Sequence, residues 1–311
     1  MRTTLAIPCY NAAHFLDSTL RAVLALSPPP DSIIVVDDGS SDHSAELVRS
    51  YPDIELCLHE RNRGIAAARN TALRHSDADI IVYIDADTIP RRSLIGALKK
   101  HYVDDGVAGV GGRALEVCQR SSADRLRREI LFQGWGDTYR IVPFLFGLCS
   151  SFRTEALRKV GGFDVAFGVS GEDMDACYRL RQAGFRFLYE PAAVVDHMRT
   201  DDRDNLMKMT YRHCFWGFLA QRKHRRYEHK VPLVKSAGVL LKQTLIDGIA
   251  KGDLPLLRMT LSMHYTILQA WIDSGRHLRR RPLSRRTHFN CTSWEGHGAA
   301  SPDSVDGRPM D

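Results

Sequence analysis

The 311-residue sequence has no C-x-x-C pair: its seven cysteines, Cys9, Cys57, Cys118, Cys149, Cys177, Cys214 and Cys291, stand singly. That spacing excludes a zinc ribbon or a dithiol redox motif. An odd count in a chain of this size does not describe a disulfide framework, so a reducing compartment, the cytoplasm, fits best. Long apolar runs are missing too. The nearest to a membrane span, Leu254 to Ile272, contains Pro255, Arg258 and His264, so no confident span is expected. Leu5-Ala6-Ile7 is too short for a signal-peptide core. There is no internal repeat. With 44% hydrophobic and 26% charged residues, a wholly disordered or collagen-like chain is excluded.

Charge is plentiful but uneven. The whole chain carries +6, yet the stretch from Arg212 to Arg286 holds 16 Lys/Arg against 4 Asp/Glu, leaving −6 on the rest. An acidic body therefore carries a basic C-terminal part, and one surface seeks an anionic partner.

The first hundred residues alternate between strand and helix patterns. Leu5-Ala6-Ile7 is a short apolar run closed by Pro8, and Asn11 to Leu26 has helical spacing up to Pro28-Pro29-Pro30. Ile33-Ile34-Val35-Val36 is β-branched and continuous, as in a strand buried on both faces. The alternation repeats with Ile54 to Leu58, Ile65 to Arg74, and Ile80 to Ile84. Strands alternating with helices imply βαβ units and a mostly parallel sheet with helices on both faces. Ligands bind such sheets at the carboxyl ends of the strands. Three strands end there in polar residues: Pro8-Cys9-Tyr10-Asn11, Asp37-Asp38 and Asp85-Ala86-Asp87. Further on, Val107 to Gly112 is a Gly-rich strand candidate, and Gly171 to Ala183 has helical spacing stopped by Gly184. Phe185 to Tyr189 and Ala193 to Val195 look like two short strands, and Asp204 to Gly275 is helical with breaks near Pro232 and Gly252-Asp253-Leu254-Pro255.

Asp85 and Asp87, two apart after an apolar strand, share a face while the chain is extended. Two carboxylates held together invite a divalent cation that also bridges to a diphosphate. The competing reading is a turn that caps the next helix. Asp37-Asp38-Gly39-Ser40 reads equally as a type I turn or as a carboxylate accepting from a base or ribose hydroxyl. Glu172-Asp173 reads as helix N-terminal charge preference or as a base that takes a hydroxyl proton. His197 reads as a polar strand end or as a ligand.

Taken in order, Ile7-Pro8-Cys9-Tyr10-Asn11, Val35 to Ser40, Arg61 to Asn70, and Tyr83-Ile84-Asp85-Ala86-Asp87 resemble the nucleotide-sugar motifs of glycosyltransferase family 2, the inverting enzymes of GT-A fold. Gly161-Gly162-Phe163-Asp164 and Gly171-Glu172-Asp173-Met174-Asp175 with Arg179-Leu180 resemble the family's acceptor-side segment. The resemblance covers about residues 3 to 200 and implies roles. Pro8 and Tyr10 line the base pocket, Tyr10 by packing on the ring. Asp38 accepts from the base and Asp37 shapes the turn. Arg69 lies near the nucleotide. Asp85 contacts the ribose or sugar, Asp87 ligates the metal, and His197 reaches the metal or the diphosphate. Asp173 is the general base, with Glu172 beside it. Oxygen ligands imply Mg²⁺ or Mn²⁺. The donor is a nucleoside-diphosphate sugar of UDP or dTDP type. The acceptor is a saccharide or lipid-linked hydroxyl, as in cell envelope polysaccharide synthesis. There is no Q-x-x-R-W segment, which argues against a processive synthase, and Cys149-Ser150-Ser151 stands where many relatives carry an Asn-rich segment.

The expected organisation is a catalytic domain over 1–200, a basic amphipathic helical extension over 201–275 and a disordered tail over 276–311. Tyr211 to Ala220 is aromatic and apolar, and Gln221 to Arg226 is basic. Such a stretch, with Val231 to Ile249 and Leu254 to Ile272, either lies on an anionic membrane surface, on the inner face of the membrane, or packs on the catalytic domain or a partner chain. No nucleic-acid module is present, and nucleic acid is not an expected partner. Two other functions compete. A sugar-nucleotide nucleotidyltransferase would need a Gly-rich, Lys/Arg-bearing loop after the first strand, which Pro8-Cys9-Tyr10-Asn11 is not. A non-catalytic scaffold on a transferase fold would not need Asp87 and Asp173.

Overall fold

The computed structural model describes residues 1–130, 134–224 and 254–280, with Ile246 and Gly252 as isolated positions. The rest of the stretch 231–249, the basic residues Arg225 and Arg226, Cys291 and the tail beyond 280 lie outside the described residues.

The first half is built of β1 (Thr3–Cys9), α1 (Ala13–Leu24), β2 (Ser32–Asp37), α2 (Ser44–Arg49), β3 (Glu55–Leu58), α3 (Ile65–His75), β4 (Ile80–Ile84), β5 (Thr88–Pro90) and α4 (Leu94–Lys99). The second half adds β6 (Val107–Glu116), α5 (Ser122–Ile130), β7 (Arg140–Val142), β8 (Cys149–Arg153), α6 (Thr154–Lys159), α7 (Glu172–Gln182), β9 (Arg186–His197), α8 (Arg203–Lys223) and α9 (Leu254–Arg280).

One sheet runs β3-β2-β1-β4-β8-β6-β9-β5, and β7 pairs with β9. The parallel expectation holds for β3-β2-β1-β4 and again for β6 beside β9. β8 is antiparallel to both β4 and β6, and β5 and β7 are antiparallel to β9. The two short strands read around Phe187 and Val194 are one strand. β6 pairs with it on both sides of Glu190 to Ala193, and a register shift between Gly111 and Arg113 absorbs those residues.

Alternation along each strand divides two cores. Leu5, Ile7, Val35, Val82 and Ile84 meet α1 (Leu16, Leu20, Val23) and α4 (Leu94, Ile95, Leu98) on one face. Ala6, Ile34, Val36, Ile81 and Tyr83 meet α3 (Ala68, Ala72, Leu73) and α7 (Ala176, Cys177, Leu180) on the other. Both faces are covered, which is why β2 and β4 read as continuous apolar runs. The alanines of α3 carry no bulk to hold that helix off the sheet.

The aromatic stretch of α8 is used inside the protein. Leu206, Met209 and Phe218 pack with Met259, Met263, Ile267 and Ala270 of α9 and with Leu126 of α5. Leu219 and Ala220 pack on Phe167 and Met174 of the sheet-bearing part. Tyr211 donates to Asp273 Oδ2 at 3.0 Å, and buried Lys223 donates to Asp164 (2.6 Å) and Asp175 (2.8 Å). α9 runs to Arg280, past the 275 boundary read from composition. No helix among the described residues is long and apolar enough to cross a membrane. The six described cysteines are free thiols.

Candidate active site

The carboxyl ends of β1, β2 and β4 are adjacent because these strands are parallel and in register: Cys9 pairs with Asp37, and Ala6 with Tyr83. Pro8 and Tyr10 stand at the end of β1, with Tyr10 50% exposed. Asp37 and Asp38 stand at the end of β2, each 3% exposed. Asp37 Oδ1 accepts from the Ser40 amide at 2.8 Å, which shapes the turn, while its Oδ2 is buried with no hydrogen-bond partner. Asp38 accepts from the Arg63 amide (2.9 Å) and the Gly64 amide (2.8 Å), and sits 2.5 Å from His59 Nδ1. It therefore anchors the loop between β3 and α3. Gly64 has φ of +87°, and a Cβ there would stand 2.7 Å from the Gly168 carbonyl oxygen, so only glycine fits.

Arg69 on α3 joins the end of β4 to the start of α7. It is 2% exposed. Its Nη2 donates to Asp85 Oδ1 at 3.3 Å and its Nη1 makes a short contact with Glu172 Oε1. Asp173, next along α7, accepts from the Gly147 amide at 2.9 Å. A Cβ at Gly147 would run into the Arg69 guanidinium and force it to shift. One buried cation thus serves Asp85, Glu172 and Asp173, and negative charge is in excess. Burial raises the pKa of Glu172 to about 7 against the pull of Arg69, with Asp173 and Asp85 adding to the rise. Burial also raises Asp85 and Asp173, again opposed by Arg69. The pairing keeps Arg69 charged.

Asp87 and His197 meet through strand register. β5 begins at Thr88, whose partner across the antiparallel pair is His197, and His197 is also level with Glu116 at the end of β6. His197 Nε2 lies 3.2 Å from Asp87 Oδ2, and Nδ1 lies 2.8 Å from Glu116 Oε1. Burial opposes charge on His197, but hydrogen bonds to Asp87 and Glu116 outweigh it and bring its pKa to about 9. His197 in turn holds Asp87 below the usual carboxylate range despite burial. Glu116 is fixed from behind by Arg127 Nε at 3.0 Å, and Arg127 also donates to Asp201 at 2.5 Å.

The donor set suits a hard or borderline divalent cation. Asp87 offers oxygen, and His197 turns Nε2 toward it because Nδ1 is taken by a carboxylate, the usual support for a ligating imidazole. Asp87 also feels Arg199, and Asp85 feels both Asp87 and His197, so the metal-type pair and the Arg69 cluster are neighbours. Strand register thus brings Asp37, Asp38, Asp85, Asp87 and His197 to one end of the sheet, and Arg69 links that end to the start of α7.

Several partners were not legible in advance. Glu116 ends a Gly-rich strand with no motif around it. Gly147 is a lone glycine in an apolar stretch. Asp175 reads as part of an acidic helix start, yet it accepts from Lys223, His224 and Arg179. Only the spatial return of α8 reveals that.

Comparison with known proteins follows the same edge. The profile described as glycosyl transferase family 2 matches residues 4–161, half of the chain, including β1 to β4 and their terminal aspartates. The chain belongs to glycosyltransferase family 2. A protein named pre-mycofactocin glycosyltransferase from Mycobacterium tuberculosis (strain ATCC 25618 / H37Rv) is 35% identical over 269 residues, covering 82% of this chain and 54% of that protein. A poly-beta-1,6-N-acetyl-D-glucosamine synthase from Staphylococcus aureus (strain COL) is 27% identical over 207 residues, 61% of this chain and 48% of that one. This family 2 chain spans about half the length of these curated relatives. Among solved structures, a mannosyltransferase from Pyrobaculum calidifontis in complex with GDP-Man and Mn²⁺ has a TM-score of 0.59 at 22% identity, covering 90% of this chain and 87% of that one. At that identity the likeness establishes the fold, which is GT-A.

Proposed function

We propose that this chain is an inverting glycosyltransferase that moves one sugar from a nucleoside-diphosphate sugar to an acceptor hydroxyl with a divalent cation, Mg²⁺ or Mn²⁺. The observation that carries the reading is Arg69: it touches Asp85 on the strand-end side and Glu172 on the α7 side, so donor-type and base-type carboxylates share one small volume.

The roles follow from position. Tyr10, exposed at the end of β1, packs on the base beside Pro8, and Asp37 and Asp38 with the loop they hold border that pocket. Asp87 and His197 hold the cation, which when bound neutralises charge on the departing diphosphate. Asp85, oriented by Arg69, accepts from ribose or sugar hydroxyls. Asp173, whose raised pKa makes it the stronger base, takes the acceptor hydroxyl proton. Glu172 keeps Arg69 in place. Attack from the side of Asp173 opposite the diphosphate inverts the anomeric centre in one displacement. The relatives' names and the GDP-Man and Mn²⁺ of the Pyrobaculum calidifontis structure are consistent with this chemistry. The UDP or dTDP character of the donor and the saccharide or lipid-linked acceptor are part of the proposal.

The test is a panel of sugar nucleotides, each with Mg²⁺, Mn²⁺ or chelator, read as nucleoside diphosphate released. At least one should turn over only with metal. If none does, and calorimetry finds no metal-dependent binding of UDP, dTDP or GDP, the proposal fails.

A peripheral seat on an anionic membrane face is favoured by one observation. Leu254, Leu261, Tyr265, Leu268 and Ile272 are exposed along one side of α9, at helical spacing, with Arg258, Arg276 and Arg279 on the same side. Apolar side chains flanked by arginines suit an anionic bilayer surface.

A further inference from the structure

We propose that Glu55, Cys57 and His75 form a second metal site, of zinc type, at the outer edge of the sheet and separate from Asp87 and His197. β3 is the edge strand, and residues two apart on it share a face, so Glu55 and Cys57 point the same way. His75 closes α3 against that face. Cys57 Sγ is 3.5 Å from His75 Nδ1 and 3.7 Å from Glu55 Oε1, and His75 Nδ1 is 2.6 Å from Glu55 Oε1.

These spacings nearly fit a tetrahedral ion. With Zn–S near 2.3 Å and Zn–N or Zn–O near 2.0–2.1 Å, sulfur should lie about 3.6 Å from each other ligand, and nitrogen and oxygen about 3.3 Å apart. The two sulfur distances already match. The histidine–glutamate distance needs to open by about 0.7 Å, and both side chains are half exposed and free to do so. Hydrogen bonds already draw the thiol, the imidazole and the carboxylate together. A metal uses all three and leaves a fourth position for water. Thiolate and imidazole favour zinc or cobalt over magnesium or manganese, so this site and the Asp87–His197 pair select different ions. Glutamate and thiolate together balance the dication.

The location gives the site a consequence. Its ligands at 57 and 75 bracket a single segment, which contains His59, the Arg63 and Gly64 amides that hold Asp38, and Arg69. An ion bridging its two ends closes that segment into a loop and removes conformations from its unfolded state, as any cross-link does.

The test is cobalt titration of the full chain, because thiolate ligation to Co²⁺ gives a charge-transfer absorption in the near ultraviolet. One equivalent should develop that band and zinc should abolish it. The band should vanish in Cys57→Ser, persist in Cys118→Ser and in Asp87→Ala, and require at least tenfold more cobalt in His75→Ala. Glu55→Gln, a change at an exposed side chain, should also weaken cobalt at least tenfold and serves if His75→Ala does not fold. No thiolate band in the unaltered chain, or a band that survives Cys57→Ser, overturns the proposal.

Discussion

His197 Nε2 lies 3.2 Å from Asp87 Oδ2 although 110 positions separate the two residues. β5 and β9 bring them level, and Glu116 fixes the far side of the imidazole. Removing the carboxylate in Asp87→Ala should abolish metal-dependent binding of a nucleoside diphosphate, read by calorimetry in Mn²⁺. Unchanged affinity would remove Asp87 from the site. Glu116→Gln keeps the size but weakens the support. It should lower Mn²⁺ affinity about 10–100-fold, measured as free Mn²⁺ by electron paramagnetic resonance.

Asp173→Asn should leave donor affinity within about twofold and lower turnover about 10²–10⁴-fold, the usual worth of a positioned base. The readout separates kcat from donor binding. Normal turnover would end the assignment of Asp173 as base.

Gly147→Ala should act at a distance of one contact from the chemistry. Its new methyl meets the Arg69 guanidinium, which is buried and held by Glu172 and Asp85. Overpacking of this kind costs about 1–3 kcal/mol, measurable by urea unfolding. Turnover should fall more than stability, because Arg69 positions both Asp85 and Glu172.

Asp175 links stability to pH. Burial works against its charge, but His224, Arg179 and Lys223 hold its carboxyl far below the usual range. A depressed folded pKa contributes stability that is complete above the unfolded value, about 3.9, and is lost as pH falls from there toward the folded value. Asp175→Asn should therefore cost about 3 kcal/mol at neutral pH, since Lys223 stays buried with one partner fewer. The difference from the unaltered chain should shrink below about pH 4. A constant difference across that window would show that the charge is not what matters.

The exposed stripe on α9 predicts sedimentation with vesicles containing anionic lipid and not with neutral ones. Leu261→Ser with Leu268→Ser should abolish it, and salt should weaken it. Equal binding to neutral vesicles, or none to either, would remove the membrane reading.

Much of the edge where these residues meet was legible because parallel strands expose their carboxyl ends together. Asp37-Asp38 and Asp85-Ala86-Asp87 each follow an apolar strand, so their convergence follows from the βαβ pattern alone. The Arg69–Glu172 contact could not be read that way. The two residues are 103 apart, and nothing local tells a helix-borne arginine which strand end it will reach. Strand merging was hidden for a similar reason: Glu190 to Ala193 have no partner on β6, and only the pairing that resumes beyond them makes β9 one strand. The aromatic run on α8 left lipid equally open with packing on the catalytic domain or a partner chain. Amphipathicity fixes which face is buried, not what buries it, and only the contacts with α9 and Phe167 decide that for the described part.

The shared guanidinium has a kinetic consequence. Asp85, Glu172 and Asp173 draw on one permanent charge, so a proton gained by any of them alters the affinity of the other two for theirs. The acid limb of a rate profile then measures the trio as a unit. Substituting any member displaces that limb, even a member that never touches the reacting sugar.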